Sequence, residues 1–229
     1  MPAAPQKASE KVVNLTVHGI GQAPRALDPG EDTTWVSVAQ FEQVLDAIVG
    51  RPDVRITFDD GNASDVEIAL PRLIERGLTG EFFVLAGLLG EPGRLTADGV
   101  RELMCAGMPV GSHGWAHRDW RRMNASQAHE EIIEAGAVIE AITGRPVSRV
   151  AVPFGSYDRR VLHSLRRARM TRVYTSDGGP ARPGSWLQPR NSLRHDLDPA
   201  WTRSILDGVD PLRVRARRLA SRTFKRVRG

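Results

Sequence analysis

The chain has 229 residues, 41% of them hydrophobic and 26% charged, enough for one domain with a real core. A single cysteine, Cys105, excludes an internal disulfide framework, and no apolar run is long enough for a transmembrane helix. The last 18 residues hold eight Arg or Lys and no acid, and subtracting those eight from the net charge of +5 leaves −3, so the basicity belongs to the tail.

The opening stretch "MPAAPQKASEKVV" is polar and lacks the apolar core of a signal peptide, so a cytoplasmic protein is expected. "VVNLTVHGIG" reads as a strand running into glycines, with His18 at its end. "SVAQFEQVLDAIVG" (37–50) has helical spacing and a closing glycine. "VRITF" is a strand that delivers Asp59, Asp60 and Gly61. Asp-Gly alone is a turn signal, and an aspartate before it can cap a helix. "SDVEIALPRLIERG" (64–77) predicts a Ser-capped helix with an internal proline.

"EFFVLAG" is a buried strand, and "TADGVRELMCAG" (96–107) is a Thr-capped helix that should bury Cys105 as a small hydrophobe. "PVGSH" is a short strand ending at His113. "NASQAHEEIIEAGAVIEAITG" (124–144) is a long amphipathic helix. "RVAVPFG" is a strand ending in Pro153, Phe154 and Gly155. "DRRVLHSLRRA" is a helix with Asp158 as its N-cap, and "TRVYTS" is another strand. His129 and His163 fall inside helices, solvated or packed.

Strand and helix alternate almost throughout, which argues for parallel strands with helices outside, in a barrel or a doubly wound sheet. No G-x-G-x-x-G follows the first strand, which weakens a dinucleotide-binding reading. The expected organisation is a flexible segment 1–12, a domain over 13–210 and a basic tail over 211–229.

His18, Asp59 with Asp60, His113, and the Pro153–Gly155 stretch all follow strands, at the end where α/β barrels build their sites. In "SHGWAH", His113 and His117 are spaced i, i+4 and can face one point. Two imidazoles and a carboxylate from another strand end make a metal site with open positions, the catalytic form. One aspartate of the pair can bind the metal while its neighbour, which leaves the strand in a different direction, stays free as a base.

"TFDDG", "SHGWAH" and "PFGSYD", in this order, resemble the polysaccharide deacetylases, the chitin-deacetylase-like carbohydrate esterases of family four (NodB homology), over about residues 14–195. The resemblance implies a distorted (β/α) barrel of about seven parallel strands in a single domain. It also implies hydrolysis of an N-acetyl group from an amino sugar. Asp60, His113 and His117 would hold a divalent metal; Zn²⁺ suits them best, and Co²⁺, Ni²⁺ or Mn²⁺ would tolerate them. Asp59 would be the general base, and a backbone N–H near Phe154 would serve the oxyanion.

Two family features are absent. Leu206, in "RSILDGVDP", has no histidine after it in the Leu-x-x-His position of the family's general acid. His195, in "SLRHDLDP", is the late histidine available, against the plainer reading of a surface-loop residue. Ala151 stands where many members have an arginine that orients the base. Arg190, in "LQPRNSLR", could take that role from another loop, or be an ordinary surface arginine. His18 could line the pocket, and Trp115 and Trp120 could stack on sugar or simply pack.

The tail places Leu212, Ala216, Leu219 and Val227 on an approximate stripe among arginines, which predicts peripheral contact with an anionic membrane face. Nucleic-acid binding is not expected, because the remainder is net acidic and no recognition motif occurs. The competing functional readings are an amidase acting on a small non-sugar amide and a catalytically weak glycan-binding protein.

Overall fold

The computed structural model describes residues 11–208, 219–220 and 222–226. In chain order the elements are β1 (Val13–Val17), β2 (Gly19–Ile20), β3 (Trp35–Val36), α1 (Val38–Ile48), β4 (Val54–Phe58), α2 (Leu70–Glu75), β5 (Gly80–Val84), α3 (Ala97–Cys105), β6 (Val110–Ser112), α4 (Ala125–His129), α5 (Ala135–Thr143), β7 (Arg149–Ala151), α6 (Arg159–Arg167), β8 (Arg172–Thr175), β9 (Leu187–Ser192) and α7 (Pro199–Leu206). Seven strands close a barrel in the order β1-β4-β5-β6-β7-β8-β9, and every pairing is parallel, including β9 with β1. This is the (β/α) barrel of about seven strands, and the doubly wound alternative falls away.

Side chains alternate across each strand, and the barrel uses the alternation to separate two cores. Outward residues pack under the helices: Phe58 stacks on Phe82 with ring centroids 4.4 Å apart and meets Phe41 of α1 edge-on at 6.0 Å. The inward layer is largely polar and cross-bonded. Thr16 meets Thr57 at 3.1 Å, Asn14 donates to Gln188 at 3.2 Å, and Tyr174 donates to Glu81 at 2.6 Å. A barrel lined this way can carry a charged side chain up its axis to the mouth, which is what Arg190 does.

Local chemistry fixes the helix starts. Ser37 and Gln40 form a reciprocal capping box, as do Asn124 and Gln127, each satisfying two otherwise orphaned backbone donors. Asp158 caps α6 by accepting from Val161, the role read for it in the sequence. The segment read as one helix over 64–77 is instead a π-helical turn, Asp65–Ala69, leading into α2. Pro71 lacks an N–H, and the ladder loosens one turn ahead of it. Ser64 is itself helical and caps nothing; its Oγ accepts from the Ile20 N–H at 3.3 Å. Cys105 is exposed rather than buried, because α3 turns Val100 and Leu103 inward.

Arg190 lies in β9 and not in a loop. Pro189 and the polar residues of "LQPRNS" hide that strand, yet it closes the barrel. Of the apolar stripe read in the tail, Leu212, Ala216 and Val227 lie outside the described residues, and Leu219 is exposed. Arg222 and Lys225 turn toward the barrel: Arg222 donates to the Gly178 carbonyl, and Lys225 to the Gly155 carbonyl at 3.0 Å and Asp177 at 2.9 Å. Among the described residues no helix is long and apolar enough to cross a membrane.

Candidate active site

The C-terminal ends of the strands surround a cavity of about 550 Å³, whose lining includes His18, Asp59, Asp60, His113, His117 and Phe154. Asp59 follows Thr57 by two residues and therefore continues the inward column of β4 to the mouth. There Arg190 grips it with both ends of its guanidinium, at 2.5 Å to Oδ1 and 2.7 Å to Oδ2, and donates to Thr57 Oγ1 at 3.2 Å. Asp59 is 2% exposed and so is Arg190, so this is a buried bidentate pair.

Asp60 is turned out of that column by a left-handed backbone, φ 73°, followed by Gly61 at φ 63°. Its Oδ1 lies 3.4 Å from His113 Nε2 and 3.6 Å from His117 Nε2. His117 (φ 55°) and Phe154 (φ 56°) are also left-handed, so among the described residues three of the four non-glycine residues of that kind line this cavity. Each costs of order 1 kcal/mol, and such strain clusters where side chains must be aimed.

His113 arrives from β6 with its N–H on the Val84 carbonyl at 2.8 Å. Its Nδ1 lies 2.9 Å from the Ala151 carbonyl and must donate to that acceptor, which leaves Nε2 facing Asp60. Position 151 therefore serves the site through its backbone.

The loop from His113 to Trp120 hangs on Glu131, a completely buried carboxylate. It accepts from the N–H groups of Trp115 and Ala116, each at 3.0 Å, and from Trp120 Nε1 at 3.1 Å. A Cβ on Gly114 would lie 2.2 Å from that carboxylate, so glycine is required there. Glu131→Ala should strand three donors and cost about 3 kcal/mol, read as the loss of unfolding free energy in a denaturant titration. A loss under about 1 kcal/mol would show that the loop holds itself. Ser156, which donates to Asp119 at 2.5 Å and accepts from Arg121 at 2.6 Å, ties the same loop to the turn after β7.

Burial opposes ionisation of Asp59, but the Arg190 and His113 charges and the Arg190 hydrogen bonds outweigh it and hold the carboxyl below the usual range. Burial likewise opposes Asp60, and the two site histidines more than offset it. Burial pushes His117 down to about 4 against the pull of Asp60, so it is a neutral imidazole at physiological pH. For His113 the charges of Asp59 and Asp60 overcome burial and raise the pKa.

These residues fit a divalent ion. The ligand atoms of Asp60, His113 and His117 lie within 4.8 Å of one another. Asp60 Oδ1 is buried with no hydrogen-bond partner, an orphaned acceptor aimed at two imidazole nitrogens. One carboxylate oxygen and two imidazoles are the donor set of borderline metals. Asp59 Oδ2 lies 3.7 Å from His113 Nε2, near the triad but engaged by Arg190.

Other residues singled out in the sequence fall elsewhere. His195 is exposed, its Nδ1 lies 3.1 Å from the Thr33 carbonyl, and it does not line the cavity; the segment after β9 carries it away over the β3 approach. Trp115 is a packing residue, because its ring fills the space a side chain at Gly87 would need. Trp120 is buried. Pro153 and Gly155 are buried and shape the turn that presents Phe154, which is 65% exposed with its ring 4.2 Å from that of His117. His18 lines the cavity, and its Nδ1 is buried without a partner.

Sequence reasoning missed Glu131, Arg94 and Asp65. Glu131 left one signal, an acid on the apolar side of a helix. Arg94 lines the cavity and donates to the Asp60 carbonyl and Asn62 Oδ1, both at 3.2 Å. Asp65 is fully buried with both oxygens unpartnered, and burial together with the Asp60 and Asp59 charges pushes its pKa well up.

Residues 47–173, more than half of the chain, match the family model described as "Polysaccharide deacetylase". A chitooligosaccharide deacetylase from Bradyrhizobium is 25% identical over 144 residues, 62% of this chain and 62% of that protein. The chain spans 55% and 62% of the length of the first curated relatives it matches. Among solved structures, the Streptococcus pyogenes deacetylase PplD in complex with acetate superposes with a TM-score of 0.72 at 20% identity, covering 88% of this chain and 99% of that one. BC0361, a polysaccharide deacetylase from Bacillus cereus, gives 0.74 at 21%, covering 86% and 69%. At these identities the structural likenesses speak for the barrel alone.

Proposed function

The chain belongs to the polysaccharide deacetylase family, and from that premise we propose that it is a metal-dependent hydrolase that removes the N-acetyl group from an amino sugar of a glycan or glycan precursor. The observation that carries this reading is the juxtaposition of the Asp60–His113–His117 triad with the buried Asp59–Arg190 pair in one cavity. Asp60, His113 and His117 would hold the ion, with Zn²⁺ the best match to two imidazoles and a carboxylate. A divalent ion there would polarise the amide carbonyl and lower the pKa of its water.

The chain's own groups supply the rest. Asp59, kept ionised and oriented by Arg190, takes a proton from the attacking water as its oxygen bonds to the acetyl carbon. Pro153 has no N–H, and those of Gly155 and Ser156 bond the Val152 and Pro153 carbonyls, which singles out the Phe154 N–H for the developing oxyanion. The carbon–nitrogen bond then breaks, and the leaving nitrogen takes a proton to become the free amine. His18 is the histidine the cavity offers for that step, since His113 and His117 face Asp60 as the proposed ligands and His195 lies outside it. Acetate and the amino sugar are the products.

The test is acetate release from N-acetylglucosamine and its oligomers by Zn²⁺-loaded protein, by chelated protein and by His113→Ala. Release should need added metal and should vanish in His113→Ala. Equal release from chelated and loaded protein would overturn the metal-dependent reading.

A further inference from the structure

The last 18 residues carry eight Arg or Lys and no acid, and nothing in the chemistry above uses them. Residues 222–226 are helical, so Arg222 and Lys225, three apart, face the same side. That side lies against the loops that leave β7 and β8 at the barrel mouth. Arg222 donates to the Gly178 carbonyl, and Lys225 donates to the Gly155 carbonyl at 3.0 Å and to Asp177 at 2.9 Å. We propose that Lys225 is a positioning residue of the active site, holding the Phe154 turn so that its N–H is aimed at the developing oxyanion. The inference rests on the deacetylase reading above and adds to it a segment from outside the barrel.

The turn needs holding. Phe154 is left-handed at φ 56°, directly ahead of Gly155 at φ 58°, and for a bulky residue that conformation persists only where the surroundings over-determine it. Within the turn, the Gly155 and Ser156 N–H groups bond the Val152 and Pro153 carbonyls, each at 3.0 Å. The Gly155 carbonyl takes no part in those bonds, and among the described residues Lys225 is its only donor.

The lysine head is itself fixed. Asp177, whose side chain is 4% exposed, also accepts from the Tyr157 hydroxyl at 2.7 Å and from Thr175 at 3.0 Å. The ammonium lies 5.2 Å from the centre of the Tyr157 ring, within cation–π range. Burial opposes the charge on Asp177, and the hydrogen bonds from Lys225 and Tyr157 more than offset it. A surface ion pair contributes little, but this one ties a buried carboxylate to a backbone carbonyl of the turn. The turn in turn bears on the chemistry at two points. Its Phe154 N–H is the donor that its neighbours leave free, and its Phe154 ring lies 4.2 Å from that of His117, a proposed metal ligand. Relaxation of the turn would move both.

The experiment uses the full chain loaded with Zn²⁺ and the N-acetylglucosamine tetramer as substrate, in the wild type, Lys225→Met and Lys225→Arg. Methionine keeps the length and removes the charge; arginine restores a charged donor. Lys225→Met should lose about tenfold in kcat with KM changed by less than about twofold, because a misaimed oxyanion donor forfeits part of the roughly 10²- to 10³-fold it supplies in the transition state. Lys225→Arg should retain most of the rate. An ion pair that only stabilised the fold would shift the unfolding midpoint and leave kcat alone. Amide hydrogen exchange, followed by NMR on the same proteins without substrate, reads the contact itself. The Gly155 and Ser156 amides should exchange about fivefold faster in Lys225→Met and near the wild-type rate in Lys225→Arg. Unchanged exchange in Lys225→Met, or a kcat within about twofold of the wild type, would overturn the proposal. Faster exchange in Lys225→Met with no acetate released by any of the three proteins would sink the deacetylase reading and leave the hold of Lys225 on the turn.

Discussion

Asp59→Asn is expected to lower kcat for acetate release by about 10²- to 10⁴-fold, the usual contribution of a positioned base. Asparagine keeps an oxygen for one arm of Arg190 but cannot take a proton. The three residues proposed as ligands, Asp60, His113 and His117, are untouched, so added Zn²⁺ should not restore turnover. Asp60→Asn should behave differently, because it weakens the site itself: its residual activity should climb with metal concentration. Both variants need comparison at matched folded fraction, since each disturbs a buried charge. Activity of Asp59→Asn within tenfold of wild type would remove Asp59 as the base.

That the side chains of the two adjacent aspartates diverge was readable from the sequence, because strand alternation and a following glycine suffice to send them apart. The helix and strand order was readable for a similar reason: α1, α3, α5 and α6 bury apolar residues at helical spacing, and capping residues mark most helix starts. The closure of the barrel was not. β9 contains Pro189 and mostly polar residues that face the barrel interior, so neither hydrophobic alternation nor an apolar run announces it. Arg190 therefore reads as a loop residue, whereas it sits in β9 with its guanidinium on Asp59. The same blindness affects Glu131. Its partners are two backbone N–H groups, an indole and the Arg118 guanidinium, 11 to 16 residues away, and no local pattern encodes such a contact. His195 failed in the opposite way: the sequence supplies a histidine of the right type at about the right place, but the cavity wall ends before it.

Arg190→Leu should destabilise the protein by about 3–5 kcal/mol, the penalty for removing one partner of a buried ion pair and leaving the other charged. The effect depends on pH in a defined direction. Arg190 contributes to holding the folded-state pKa of Asp59 below its ordinary 3.8. A depressed carboxyl contributes stability that is present above the unfolded pKa and lost as pH falls through the folded one. The difference between wild type and Arg190→Leu should therefore be full at neutral pH and shrink as the solution is acidified below about pH 4. Chemical denaturation at a series of pH values measures it. The double variant Asp59→Leu with Arg190→Leu should regain much of the lost stability, because no unpaired charge remains in the barrel. If the double variant is as unstable as the sum of the singles, the two side chains act independently and the pair is not what holds Asp59 in place.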